Sequence, residues 1–190
     1  MGLSREELTA KINGLLQKLM LAAQLQRSKI PYSEIDSFTN MLVFLGPNLE
    51  PATQSITWAN ENEKYAKMRA VSRVAKEMFC TAVILISDTR WVEDQKIAPL
   101  LGIPTAEEVG GERFQELYSK AIAERFKGYV GNMPPEWYSE AIIVVAKGPT
   151  CGILSQFAPY EKGPNDGIHW LKSDAKIAQQ RFNLLPDWWV

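Results

Sequence analysis

The sequence predicts an α+β fold, a small mixed or antiparallel sheet packed by amphipathic helices. Three observations carry this reading. Two continuous apolar runs rich in branched residues, Thr81-Ala82-Val83-Ile84-Leu85-Ile86 and Ala141-Ile142-Ile143-Val144-Val145-Ala146, have the composition of strands covered on both faces. Long segments with apolar residues at three- and four-residue steps precede the first run and separate it from the second. The turn chemistry of Lys147-Gly148-Pro149-Thr150 lets Ile153 to Phe157 return beside the second run as an antiparallel hairpin. Strands are therefore expected near 81–87, 140–147 and 152–158, and helices near 5–27, 61–79, 112–127 and 174–185. No repeat, charge block or linker divides the chain, so a single α+β domain over 1–190 is expected.

The first helix is announced by Ser4 and Glu7 at capping-box spacing. Leu8, Ile12, Leu15, Leu16, Leu19 and Ala23 then mark one face, and Pro31 ends the helix near Arg27-Ser28. Ile35, Phe38, Met41, Leu42, Phe44 and Leu45 suit a shorter second helix stopped by Gly46-Pro47, with a strand over Met41 to Leu45 as the alternative. Residues 47–55 read as loop. The clearest amphipathic helix spans 61–79, with Met68, Val71, Val74, Ala75, Met78 and Phe79 on one face and Arg69, Arg73 and Lys76 opposite. It runs into the first buried strand.

Pro99, Pro104 and Gly110-Gly111 make 93–111 a loop with short helical turns at most. Phe114, Leu117, Tyr118, Ala121 and Phe126 support the helix over 112–127, with Gly128 as its stop. Gly163-Pro164-Asn165-Asp166-Gly167 is a loop. Ser173 is placed to cap a last helix that Pro186 ends, before an aromatic tail, Asp187-Trp188-Trp189. The stretch from Arg69 to Trp91, an amphipathic helix entering a buried strand that ends in Ser-Asp, resembles small proteins of bacteria and their phages. That resemblance implies no activity and no site.

The composition of 46% hydrophobic and 23% charged residues is that of a globular chain, and a net charge of −1 does not favour nucleic acid as partner. No apolar run is long enough to span a bilayer and the amino terminus lacks the pattern of a secretory signal, which together suggest a soluble, cytoplasmic protein. With one histidine and no CxxC spacing, no metal site and no cofactor are expected. Cys80 and Cys151 read as buried thiols.

The strongest candidate for chemistry is Asp88-Thr89-Arg90-Trp91, where a rigid buried strand switches abruptly to polar residues. Asp88 has the chemistry of an acid, base or metal ligand, and Arg90 can hold an anion in its planar fork. The plainer alternative is an Asp that caps the following turn and an Arg paired to a surface carboxylate. Lys147, Glu161 and His169 are further ligand-binding candidates. Ile168 and Trp170 flank His169, which favours an aromatic-packed surface histidine over a Cys151–His169 pair.

Neither Gly148-Pro149-Thr150-Cys151-Gly152 nor Gly110-Gly111-Glu112 has phosphate-loop spacing. The Arg69, Arg73 and Lys76 trio reads as a solvated helix side. Six tryptophans are many for this length, and Trp58, Trp137 and Trp170 are candidates for an interaction surface. The expected function is a non-catalytic binding or regulatory protein that engages a protein partner or itself. The alternative is a small enzyme or ligand-binding protein for an anionic or nucleotide-like molecule at Asp88 and Arg90.

Overall fold

The computed structural model describes residues 4–59, 61–92, 94–128, 132–172 and 187–189. The fold is α+β, built on an antiparallel sheet of six described strands. In chain order these are α1 (Arg5–Arg27), β1 (Met41–Leu45), β2 (Pro51–Ser55), α2 (Glu61–Glu77), β3 (Ala82–Trp91), α3 (Asp94–Leu101), α4 (Ala106–Val109), α5 (Gly111–Phe126), β4 (Ser139–Gly148), β5 (Gly152–Lys162) and β6 (Ile168–Trp170). The spatial order is β2-β1-β3-β4-β5-β6, so the two apolar runs lie side by side at the centre of the sheet. The helix expected over 174–185 lies outside the described residues.

The chain divides into two compact units, Met1–Thr89 with Ala141–Val190, and Arg90–Glu140. In the first, the strand period of two sorts side chains onto two faces. Val43, Leu45, Ala82, Ile84, Ile86, Ile142, Val144 and Ala146 form one core with Ile12, Leu16, Met20 and Ala23 of α1. Leu42, Phe44, Val83 and Leu85 form the other with Met68, Val71 and Ala75 of α2. Each central strand is thus covered twice, which is why its sequence is apolar without alternation. In the second unit, α3 and α5 bury Ile97, Ala98, Leu101, Phe114, Ala121 and Ile122 together with Met133.

α1 begins as its capping box requires: the Glu7 N–H donates to Ser4 Oγ at 3.2 Å, and the Ser4 N–H donates to Glu7 Oε2 at 2.8 Å. α2 is shorter than its apolar pattern suggests. It closes in a Schellman motif, with the Phe79 N–H on the Lys76 carbonyl and the Cys80 N–H on the Ala75 carbonyl.

Four expectations need correction. Met41 to Leu45 takes the strand alternative rather than the helix, because an apolar run of this length is ambiguous by periodicity and its place beside β3 decides it. Residues 51–55, read as loop, form β2, whose five side chains are all exposed and so leave no apolar signal. Residues 94–101, expected to hold short helical turns at most, form an eight-residue helix, since Ile97, Ala98 and Leu101 are buried together and packing outweighs Pro99. Finally, β3 does not stop at Ser87 but continues through Trp91, so the polar Asp88 to Trp91 segment belongs to the strand.

Candidate functional site

The stripe that α1 buries runs Ile12, Leu16, Met20, Ala23 and then Arg27, at steps of three and four. Arg27 therefore lies on the core face although it carries a charge, and it is fully buried. On β3 the same side of the sheet takes Ala82, Ile84, Ile86 and, two residues on, Asp88. The ends of the two stripes meet. Arg27 Nε lies 2.8 Å from Asp88 Oδ2, with side-chain exposures of 0% and 6%. On β5, Ala158 is followed on the same face by Tyr160, whose hydroxyl donates to Asp88 Oδ1 at 2.6 Å and accepts from Arg27 Nε at 3.3 Å.

The three side chains form a closed polar node. Arg27 Nη1 also donates to the carbonyls of Ile30 at 2.9 Å and Pro31 at 3.3 Å, tying the chain that leaves α1 to the sheet. The Asp88 N–H donates to Asn40 Oδ1 at 3.2 Å. Tyr160 is flanked edge-on by Tyr32 and Trp170, with ring centroids 6.4 and 5.4 Å away. Trp170 is itself held by a 3.1 Å bond from its indole N–H to Ser28 Oγ. Inside such a node a charge is largely shielded from bulk water, and its field falls mainly on its neighbours.

Burial, and next the Asp88 carboxylate, push the Tyr160 phenol far above its ordinary value of 10.0. Above that pH the unfolded chain releases the proton while the folded chain keeps it, so folding loses stability as pH rises. The loss attributable to Tyr160 should approach about 1.4 kcal/mol per pH unit and should be absent in Tyr160→Phe. At neutral pH the same variant should lose about 2 kcal/mol, because Asp88 Oδ1 gives up a buried donor. Urea denaturation of both proteins at several pH values measures the two effects.

The other predicted residues are dispersed. Arg90 lies 3.5 Å from Glu140 Oε1, with its guanidinium 5.4 Å from the Tyr138 ring centroid. Trp91 is half-buried. Lys147 is buried on the α2 side of β4, with Nζ 2.7 Å from Asp187 Oδ1, while Trp188 enters the α2-side core. His169 pairs across the β5–β6 ladder with Glu161, Nδ1 to Oε1 at 2.9 Å, and both are exposed. Trp58 is half-buried under the Lys64 ammonium at 5.5 Å, and Trp137 packs edge-on against Phe126 at 5.8 Å.

The cysteines belong to opposite faces of the sheet, Cys80 in the α2-side core and Cys151 against the α1-side core, and both are free. Burial raises both thiols above their ordinary range, which lowers their reactivity. Arg69, Arg73 and Lys76 are exposed on one side of α2. Among the described residues no cluster of three His, Cys, Asp or Glu side chains could hold a metal ion, and no helix is long and apolar enough to cross a membrane.

Arg27 and Tyr160 were not singled out from the sequence. A signal existed for both. Four residues beyond Ala23 on the buried stripe is Arg27, and two beyond Ala158 on the buried strand face is Tyr160. In comparisons with known proteins, no family model, curated protein or solved structure matches this chain, so its fold and its polar node are known from their own geometry.

Proposed function

We propose that this is a non-catalytic binding protein whose contact surface is centred on Phe79, at the end of α2. The observation that carries the reading is the state of that side chain. Phe79 is 80% exposed and its backbone sits at φ +52°, the left-handed position of the Schellman motif that glycine fills most easily. A bulky aromatic there carries a backbone penalty of about 1 kcal/mol and exposes its ring to water as well. Both costs are understandable if the ring is used to anchor a partner. Val74 and Met78, also exposed, extend the apolar surface along α2.

The interaction candidates of the sequence contribute less to such a surface. Trp58, Trp137 and Trp170 are each half-buried against their own chain. The alternative reading, an anionic or nucleotide-like ligand at Asp88 and Arg90, finds less support. The Asp88 carboxylate is turned onto Arg27 and Tyr160, and Arg90 is engaged by Glu140 and Tyr138.

Phe79→Gly separates folding from binding. The variant should be as stable as the wild type or up to about 1 kcal/mol more stable, because glycine accepts the left-handed backbone. A partner recovered with the wild-type protein by co-purification should be lost with the variant, while Leu21→Ser, on exposed α1 surface, should retain it. Equal recovery by wild type and Phe79→Gly would rule out the Phe79-centred surface.

A further inference from the structure

We infer that β2 is a self-pairing edge, through which two copies of this chain associate by antiparallel strand addition. β2 is the last strand on its side of the sheet and pairs only with β1 among the described strands. Its hydrogen-bond phase follows from the hairpin. The Gly46 N–H donates to the Glu50 carbonyl and the Ile56 N–H to the Asn40 carbonyl, each at 3.0 Å, and the register between them pairs Phe44 with Ala52 and Leu42 with Gln54. In an antiparallel ladder these alternate residues exchange bonds with the partner strand. The backbone groups of Pro51, Thr53 and Ser55 therefore point away from β1, toward the open edge. That edge presents the N–H and C=O of Thr53 and Ser55 and the C=O of Pro51, which has no N–H.

A second copy fits this pattern. Placed antiparallel across a two-fold axis through Thr53, each Thr53 N–H donates to the other copy's Thr53 carbonyl. Each Ser55 N–H then meets the carbonyl of the other copy's Pro51, the one position with no donor of its own to satisfy. A two-fold through Gln54 satisfies the same donors by pairing Thr53 with Ser55. About the Thr53 axis the facing side chains are proline, alanine, threonine, glutamine and serine, and about the Gln54 axis Ile56 and Thr57 join them, so in neither register is a charge set against its own image.

Edge strands are commonly guarded by lysine, bulges or inward charges, and β2 carries none of these apart from the proline at its first residue. All five of its side chains are exposed, which leaves room for another strand to approach. The surface such a strand pair covers is well under the roughly 1,600 Å² of a standard interface, so the association is weak and concentration-dependent, with Kd on the order of 10 µM to 1 mM.

Sedimentation velocity from about 5 µM to 1 mM, with amide hydrogen exchange at both ends of the range, tests the inference. The wild type should shift from monomer to dimer, and the Thr53 and Ser55 amides should slow with concentration while the Gln54 amide, bonded to β1, stays protected throughout. Thr53→Pro removes only an outward N–H and leaves the β1 ladder intact, and Thr53→Lys sets two cations face to face about the Thr53 axis and diagonally adjacent on one face about the Gln54 axis. Each should weaken dimerisation at least about tenfold with an unchanged circular dichroism spectrum. Phe79→Gly should leave it unaltered, which separates this edge from the surface at the end of α2. A monomer at every concentration overturns the inference. So does a dimer in which the Thr53 and Ser55 amides exchange as fast as in the monomer, or one that persists unweakened in Thr53→Lys.

Discussion

Replacing Asp88 with alanine should cost about 4 kcal/mol of folding stability, a large fraction of what a domain usually has. The loss comes less from the missing ion pair than from what remains. Arg27 is fully buried, and without the carboxylate 2.8 Å away its charge has carbonyl dipoles and a phenol for company but no counter-ion. Removing one partner of a buried pair costs far more than the pair contributes. The companion experiment separates these two quantities. Arg27→Met with Asp88→Leu removes both charges at similar volume, and the double variant should recover most of the loss, or exceed the wild type. Added salt should change neither result much, since the pair lies out of reach of solvent ions. Chemical denaturation of Arg27→Met, of Asp88→Leu and of the double variant completes the cycle. A loss below about 1 kcal/mol in Asp88→Ala would mean that the node is open to water and the ion pair is screened by it.

Gly148→Ala should be nearly as damaging, at about 3 kcal/mol or more, although it adds one methyl group. A Cβ at Gly148 would lie 2.2 Å from the Thr81 carbonyl oxygen and 3.0 Å from Ala82 Cα. The obstacle is backbone and cannot rotate away. Nor can it retreat easily, because the Thr81 N–H is bonded to the Leu45 carbonyl at 2.8 Å and its hydroxyl to the Gly46 carbonyl at 3.0 Å. The end of β4 is thus pressed against the start of β3 where only a glycine fits. Gly14→Ala is the contrasting control. Nothing lies within 4 Å of the added methyl in the middle of α1, so that variant should gain about 0.5–1 kcal/mol. Thermal melts of the two alanine variants should move in opposite directions. A Gly148→Ala protein as stable as the wild type would show that the β3 and β4 backbones are not in that contact.

The turn residues around Gly148 were read from the sequence as hairpin chemistry, and the hairpin is there, but the reason for glycine at that position is a neighbour 67 residues earlier in the chain. The same division runs through the molecule. The caps and apolar period of α1 and the branched runs of β3 and β4 are local properties, so they could be read directly. β2 could not, because an edge strand exposed on both faces owes its conformation to the partner it pairs with. α3 was hidden by Pro99, whose local preference is outweighed by the core that Ile97, Ala98 and Leu101 share.

Asp88 was legible as an unusual residue but not as what it is. Its sequence context, a polar switch after an apolar run, suggested an accessible group at the rim of the sheet. The strand instead runs on through Trp91, and Asp88 stays on the face that α1 covers. Which side chains share a stripe follows from local periods alone, because helix and strand repeats are geometric: Arg27 follows Ala23, Asp88 follows Ile86, Tyr160 follows Ala158. That those three stripes end at one point is a property of the assembled fold, since it depends on strand order and on where α1 crosses the sheet, which no local period encodes. A charge at the end of an apolar stripe is costly alone and tolerable in company, and the company is chosen by the fold.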